Sequence, residues 1–239
     1  MIEFKNVSFA YETGKEVIRD LSFTIRGGEA VGLIGANGAG KSTVMKLLLG
    51  LLFGEGEIIS SGLRLDKANL PLIRRKTGFI LQDSDDQMFM PTVYDDMMFA
   101  PLNYGMTKEE AERRVDEVLE RLELQALKHS YNHKLSGGEK KMAAIATILA
   151  MEPETILMDE PTAALDPYNR RLIIRRINGL SQTKLIASHD LDMILDTCER
   201  VILLSEGRIA ADGKAEEVLR DKALLEANHL ELPLSLSRR

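Results

Sequence analysis

The chain has 239 residues, 44% of them apolar, enough for one large domain or two small ones with a proper core. Its 31 Lys and Arg face 37 Asp and Glu, and the net charge of −6 works against non-specific attraction to nucleic acid or an anionic lipid surface. A single cysteine, Cys198, excludes an internal disulfide.

The N-terminus, "MIEFKNVSFAY", alternates and carries charges, so it reads as a strand and not as the apolar core of a signal peptide; the expected location is the cytoplasm. Leu21, Phe23 and Ile25 alternate with polar residues as a second strand, and "AVGLI" at 30 to 34 is a continuous apolar run, expected for a strand buried on both faces. Helical spacing follows in "KSTVMKLLLGLLF". Further buried strands are expected at "TGFIL" (77 to 81), "TILMD" (155 to 159) and "TKLIAS" (183 to 188). Strands alternating with helices predict an α/β fold with a mostly parallel sheet.

Between Gln82 and Gly137 no buried strand is apparent. The clearest element there is a helix over 107 to 124, with a capping box at Thr107 and Glu110 and one apolar stripe of Ala111, Val115, Val118, Leu119 and Leu122. This predicts one domain in two parts: residues 1–82 and 152–239 as the α/β core, and 83–151 as a helical subdomain. After His189 come a helix, with Cys198 on its apolar face as a core thiol, and a strand-turn-strand in "RVILLSEGRIAADG". The longest charge-free apolar stretches, Met142 to Met151 and Leu47 to Gly54, fall short of the roughly 18 residues that span a bilayer. Any membrane association is expected to come through a partner.

"GANGAGKS" places Gly35, Gly40, Lys41 and Ser42 in the phosphate-loop spacing, between a buried strand and a helix. The glycines let successive N–H groups converge on phosphate oxygens, Lys41 brings charge to the β- and γ-phosphates, and Ser42 offers a hydroxyl to Mg²⁺. "TILMDE" ends in two carboxylates at the carboxyl edge of a strand, where parallel sheets bind ligands. Asp159 suits Mg²⁺, and Glu160 is the candidate to orient or deprotonate the attacking water. Gln82 and His189 end strands at the same edge; the first is a candidate contact to Mg²⁺ or the water, the second a donor to the γ-phosphate. Tyr11 is a candidate to stack on adenine, although an aromatic at a strand end is commonplace.

A second glycine-rich helix start lies a hundred residues further on, in "LSGGE". Ser136 and Glu139 form a capping box, which alone explains a helix start. Gly137 and Gly138 weaken a first helical turn yet let exposed N–H groups approach an anion at the positive end of the helix dipole. This is a second anion site, on a separate lobe, suited to the nucleotide of another subunit.

In these parts, taken in order, the chain resembles the nucleotide-binding subunits of ATP-binding cassette transporters: Tyr11, "GANGAGKST" (Gly35, Ala36, Asn37, Gly38, Ala39, Gly40, Lys41, Ser42, Thr43), Gln82, "LSGGE", "TILMDE", the "ALD" turn at Ala164 to Asp166, and His189. The resemblance implies a P-loop NTPase with a mostly parallel central sheet, an N-terminal antiparallel β-subdomain and an inserted α-helical subdomain. It also implies a head-to-tail dimer, of two copies or with a related ATPase, sandwiching two ATP molecules with Mg²⁺. Ser42, Gln82 and Asp159 would serve the metal, Ser136, Gly137, Gly138 and Glu139 would reach the partner's nucleotide, and Asp166 would sit at the interface. Glu139 departs from the Gln of many members and adds negative charge beside the site.

The stretch "LQDSDDQMFMPTVYDDMMFAPLNYG" resembles the cobalt/nickel branch of energy-coupling factor transporters, which implies a transmembrane coupling subunit, a substrate-binding membrane subunit and a place on the cytoplasmic face of the membrane; vitamin import is the alternative. Met88, Met90, Met97, Met98 and Met106 are either an adaptable groove for a coupling helix, the core of the insert, or a soft-metal site, against which the absence of neighbouring Cys or His counts. A DNA-repair or chromosome-clamp ATPase would need long coiled coils or basic surfaces, and a small-molecule kinase would have no purpose for "LSGGE".

Overall fold

A computed structural model of the chain describes residues 1–12 and 14–237. Chain order runs β1 (Ile2–Ala10), β2 (Glu16–Ile25), β3 (Ala30–Ile34), α1 (Lys41–Leu48), β4 (Glu55–Ser60), β5 (Leu63–Arg64), α2 (Leu70–Lys76) and β6 (Thr77–Ile80). Three helices then follow, α3 (Val93–Asn103), α4 (Lys108–Leu122) and α5 (Gly137–Leu149), with short 3₁₀ turns between the last two. The chain continues through β7 (Thr155–Asp159), α6 (Pro167–Asn178), β8 (Thr183–Ala187), α7 (Leu191–Thr197), β9 (Arg200–Ser205) and β10 (Arg208–Lys214), and ends in α8 (Ala215–Arg220), α9 (Lys222–Ala227) and α10 (Leu234–Ser237).

Two sheets result. β2-β1-β4-β5 is antiparallel, and a six-stranded sheet has the order β10-β9-β3-β8-β7-β6, parallel throughout except for β10 at its edge. The continuous apolar runs are explained by what lies on either face. Val31, Leu33, Leu157, Leu185 and Ile202 point into a core shared with α1 and the antiparallel sheet, whereas Ile34, Ile156, Met158, Ile186 and Leu203 point into a core shared with the helices. Both faces are dry, so no polar alternation survives in these strands.

The order places the carboxyl ends of β3, β8, β7 and β6 side by side. Asp159 is in register with Ala187, and the Glu160 N–H donates to the Ala187 carbonyl at 2.9 Å, which brings the "DE" pair against Ser188 and His189. α3, α4 and α5 pack on one another after β6. The capping box of α4 forms as expected, and its buried residues are Ala111, Val115, Val118, Leu119 and Leu122. Several boundaries differ from the expectation, most by only a residue or two. The helix begun at Lys41 stops at Leu48, because Gly50 turns the chain at φ +60° and leaves Leu51 and Phe53 exposed. Cys198 follows α7 in extended backbone instead of sitting on it, yet it is buried, and burial pushes its thiol up to about 11. It is a core thiol with no thiolate character at neutral pH.

Candidate functional site

The chain turns sharply out of β3 at Gly35. Its φ of +152° is closed to residues with a side chain, and a Cβ there would stand 2.4 Å from the Leu204 carbonyl oxygen. The loop that follows wraps its own lysine: Lys41 Nζ donates to the carbonyls of Gly35 at 2.6 Å and Ala36 at 3.2 Å and lies 3.3 Å from His189 Nε2. Burial lowers the Lys41 pKa, with Glu160 and Asp159 opposing it, and burial raises that of Asp159, opposed by Ser42 and Lys41. Each charge is thus held where water stabilises it poorly, an arrangement that suits a charged ligand.

Around this loop is a cleft of about 610 Å³ lined by Tyr11, Asn37, Gly38, Ala39, Gly40, Lys41, Ser42, Thr43, Gln82, Asp159, Glu160 and His189. Residues up to 178 positions apart in sequence therefore meet at one sheet edge, from Tyr11 to His189. Tyr11 is half-exposed, its hydroxyl 3.3 Å from Thr43 Oγ1 and its ring packed edge-on against Phe9, which leaves an aromatic face beside the loop. Ser42 Oγ donates to Asp159 Oδ2 at 3.4 Å, so a hydroxyl and a carboxylate converge at one corner of the cleft, and Gln82 lines the same space.

Glu160 is fixed tightly. Its Oε1 accepts from the His189 N–H at 2.8 Å, its Oε2 accepts from Ser188 Oγ at 2.8 Å, and the side chain is only 14% exposed. Its backbone is in the left-handed region, φ +46°, a strained setting for glutamate that the surrounding hydrogen bonds maintain. Ser188 was not legible as a functional residue; its only sequence signal is its place between a buried strand and His189. A further group missed in sequence joins the turn after Glu160 to the His189 loop. Arg170 grips Asp190 with two hydrogen bonds of 2.6 and 2.8 Å, and Thr162 donates to the same carboxylate at 3.3 Å.

The second glycine-rich turn does not line this cleft. Gly137 instead lines an adjacent one of about 520 Å³, which shares Gln82, Asp159 and Ala163 with the first. Ser136 caps α5, its hydroxyl donating to Glu139 Oε2 at 2.7 Å and its N–H to the same oxygen at 2.8 Å. These two bonds hold Glu139 below the usual carboxylate range. The two glycines divide their work. A Cβ on Gly137 would meet nothing within 4 Å, whereas one on Gly138 would collide with the Asn169 side chain at 2.4 Å. Gly138 therefore packs closely against Asn169 of α6, and a side chain there would make Asn169 shift, a reason for glycine that the sequence did not disclose. Asn169 in turn donates to Asp166, which caps α6.

Of the five clustered methionines, Met88, Met97 and Met98 are buried core, and Met106 packs against that core. The exposed apolar side chains nearby include Phe89, Phe99 and Leu102: the two rings contact edge to face at 4.9 Å, and a groove of about 370 Å³ runs past Met90, Tyr94, Met98, Phe99 and Leu102. Among the described residues no helix is long and apolar enough to cross a membrane.

A phosphate loop at the carboxyl edge of a parallel sheet, with an Asp-Glu pair at the end of β7 two strands away, defines a phosphate-loop nucleoside triphosphatase. Residues 18–163 match the ABC transporter family model, and the chain belongs to that family. It is 43% identical to the energy-coupling factor transporter ATP-binding protein EcfA of Methanothermobacter thermautotrophicus, over 98% of this chain and 77% of that protein. Among solved structures it is similar to cbiO1 of Clostridium perfringens, part of the ABC transporter complex cbiONQ, with a TM-score of 0.86, 32% identity, and coverage of 99% of this chain and 97% of that one. It is also similar to the ATP-binding cassette MJ0796, solved as a dimer in a post-hydrolysis state with ADP and Pi, with a TM-score of 0.80, 29% identity, and coverage of 90% and 99%. The chain is an ATP-hydrolysing subunit of a transporter.

Proposed function

We propose that the chain is the ATPase subunit of an energy-coupling factor importer for cobalt or nickel, peripheral to the cytoplasmic face of the membrane. It works as a dimer, with another copy or a related ATPase, on a transmembrane coupling subunit and a substrate-binding membrane subunit. The reading is supported by the pattern from Gln82 to Gly105, by the EcfA relative and by the cbiO1 neighbour. The observation that carries it is the division of anion-binding parts within one chain. The Lys41 loop forms one cleft, and the "LSGGE" turn presents Gly137 outside it, with open space where a Cβ would stand. On this reading, a nucleotide that reaches both is held between two subunits.

ATP is held by the backbone N–H groups of the loop and by Lys41, which releases the Gly35 and Ala36 carbonyls for the β- and γ-phosphates; adenine stacks on Tyr11. Ser42 and Asp159 would hold Mg²⁺, since both offer hard oxygen donors at one corner of the cleft. Gln82 lies within the same space. The ion supplies neutralisation of charge on the phosphate oxygens. Glu160 accepts a proton from the water that attacks the γ-phosphorus in line; the bond to the β-bridging oxygen breaks, and ADP and phosphate result. Ser188 and the His189 N–H hold the two Glu160 oxygens, and the His189 ring, between Lys41 and Glu160, donates to the γ-phosphate.

Residues 83–151 move as a unit with the partner's nucleotide, and the groove at Met90, Phe99 and Leu102 receives a helix of the transmembrane subunit. The test is Glu160→Gln in the complex purified from membranes. ATP binding and a nucleotide-stabilised dimer persist, while turnover and uptake of Co²⁺ or Ni²⁺ are lost. Normal steady-state hydrolysis by this variant contradicts the role of Glu160, and a complex that carries a vitamin instead contradicts the substrate.

A further inference from the structure

Lys141 is a buried cation. It is 3% exposed, and no carboxylate lies within salt-bridge distance among the described residues. Taking an ammonium out of water is expensive unless its protons find strong acceptors. Here two of them do: Nζ donates to the Leu81 carbonyl at 2.9 Å and to the Gln82 carbonyl at 2.8 Å, across some sixty residues of sequence. Burial lowers its pKa, while Asp83 and Asp159 favour the charged form.

Lys141 is not the only tie. Gln87 accepts from the Leu81 N–H at 3.1 Å and donates to the Ala144 carbonyl of α5 at 2.8 Å, and Lys140 of α5 pairs with Asp85. The whole 81–87 segment is thereby stapled to α5. That helix begins at Ser136, and Lys141 lies five residues on, about 7.5 Å along the axis.

We propose that Lys141 is a positioning residue of the ATPase site: it fixes Gln82, which lines the subunit's own nucleotide cleft, to the helix whose Ser136 end meets the partner's nucleotide. Displacement of Gln82 on ATP binding is then carried to the Ser136 turn as motion of one body, so filling one cleft presets the other half-site of the dimer. This rests on the reading of Ser136 and Gly137 as the partner-facing half of the site.

The test is made in the Glu160→Gln background, by following Mg-ATP-driven dimerisation together with monomer ATP affinity and Tm. Lys141→Met, of similar length but without donors, leaves monomer ATP affinity within about threefold and raises the ATP concentration needed for dimerisation at least about tenfold, the scale of leaving buried carbonyls unpaired. Lys141→Gln, which retains an amide donor, recovers most of that loss. The proposal is overturned if Lys141→Met dimerises at the parent's midpoint, or if Lys141→Gln is as impaired as Lys141→Met. If Glu160→Gln itself fails to dimerise, the reading of the partner-facing turn falls first and this inference with it. Hydrogen exchange on the unmodified chain, at dilutions where it is monomeric, needs no variant: peptides covering 81–88 and 137–149 respond to Mg-ATP at one midpoint. A response of the first without the second overturns the proposal.

Discussion

Gly137→Ala separates the stability of the signature turn from its function. Gly137 is the first residue of α5, has no positive φ, and presents open space to an added Cβ, so alanine meets no steric penalty. Replacing a helical glycine by alanine gains roughly 0.5–1 kcal/mol, with the low end expected so near the terminus. For a domain of this size that is a Tm rise of about 1–4 °C. The new methyl nevertheless fills the open space through which, on the proposed reading, the partner's phosphate approaches the turn, and losing one aligned donor typically lowers turnover about 10²- to 10³-fold. Differential scanning calorimetry of the free chain and steady-state phosphate release give the two readouts. A variant that is equally or more stable and nearly inactive agrees with the reasoning. Unimpaired hydrolysis refutes it, and a fall in Tm that accompanies the loss of activity reduces the effect to folding.

Two further perturbations follow from the same geometry. Gly35→Ala forces a Cβ to 2.4 Å from the Leu204 carbonyl at a φ that alanine does not adopt; it should lose at least about 2 kcal/mol in urea unfolding, together with nucleotide binding. Arg170→Met removes the bidentate partner of Asp190, which burial alone would raise but which Arg170 and the Met193 N–H hold below the usual carboxylate range. Because the folded value is depressed, this stabilisation is present above the unfolded value near 4 and disappears as pH falls through the folded one. The variant should therefore be about 1–2 kcal/mol less stable at pH 7, discounted for partial exposure, and the gap to the parent should close at acidic pH; a gap independent of pH contradicts the assignment.

The sheet was legible because strands buried on both faces leave unbroken apolar runs, and α4 because a capping box and a five-residue stripe are local signals. Most of the candidate cleft was legible for the same reason: the Lys41 loop, Asp159, Glu160 and His189 each directly follow such a run. What escaped depends on contacts between distant segments. Nothing local in the sequence tells that Lys141 meets the Leu81 and Gln82 carbonyls, and the packing of Gly138 against Asn169 is a second role beside the anion contact expected of it. Ser188, Arg170 and Asp190 are ordinary polar residues whose meaning lies in their partners. Of the readings left open for the methionines, the core of the insert holds for Met88, Met97 and Met98, because a residue that fills irregular surfaces also fills irregular cores.

The central claim is that one ATP is held by the Lys41 loop of one subunit and the Ser136 turn of its partner. A crystal structure of the Glu160→Gln variant with Mg-ATP tests it most directly. The account predicts a closed dimer with the γ-phosphate within hydrogen-bond distance of Ser136 Oγ and the Gly137 N–H of the facing subunit; a bound nucleotide that touches only its own chain, with the Ser136 turn open to solvent, contradicts it.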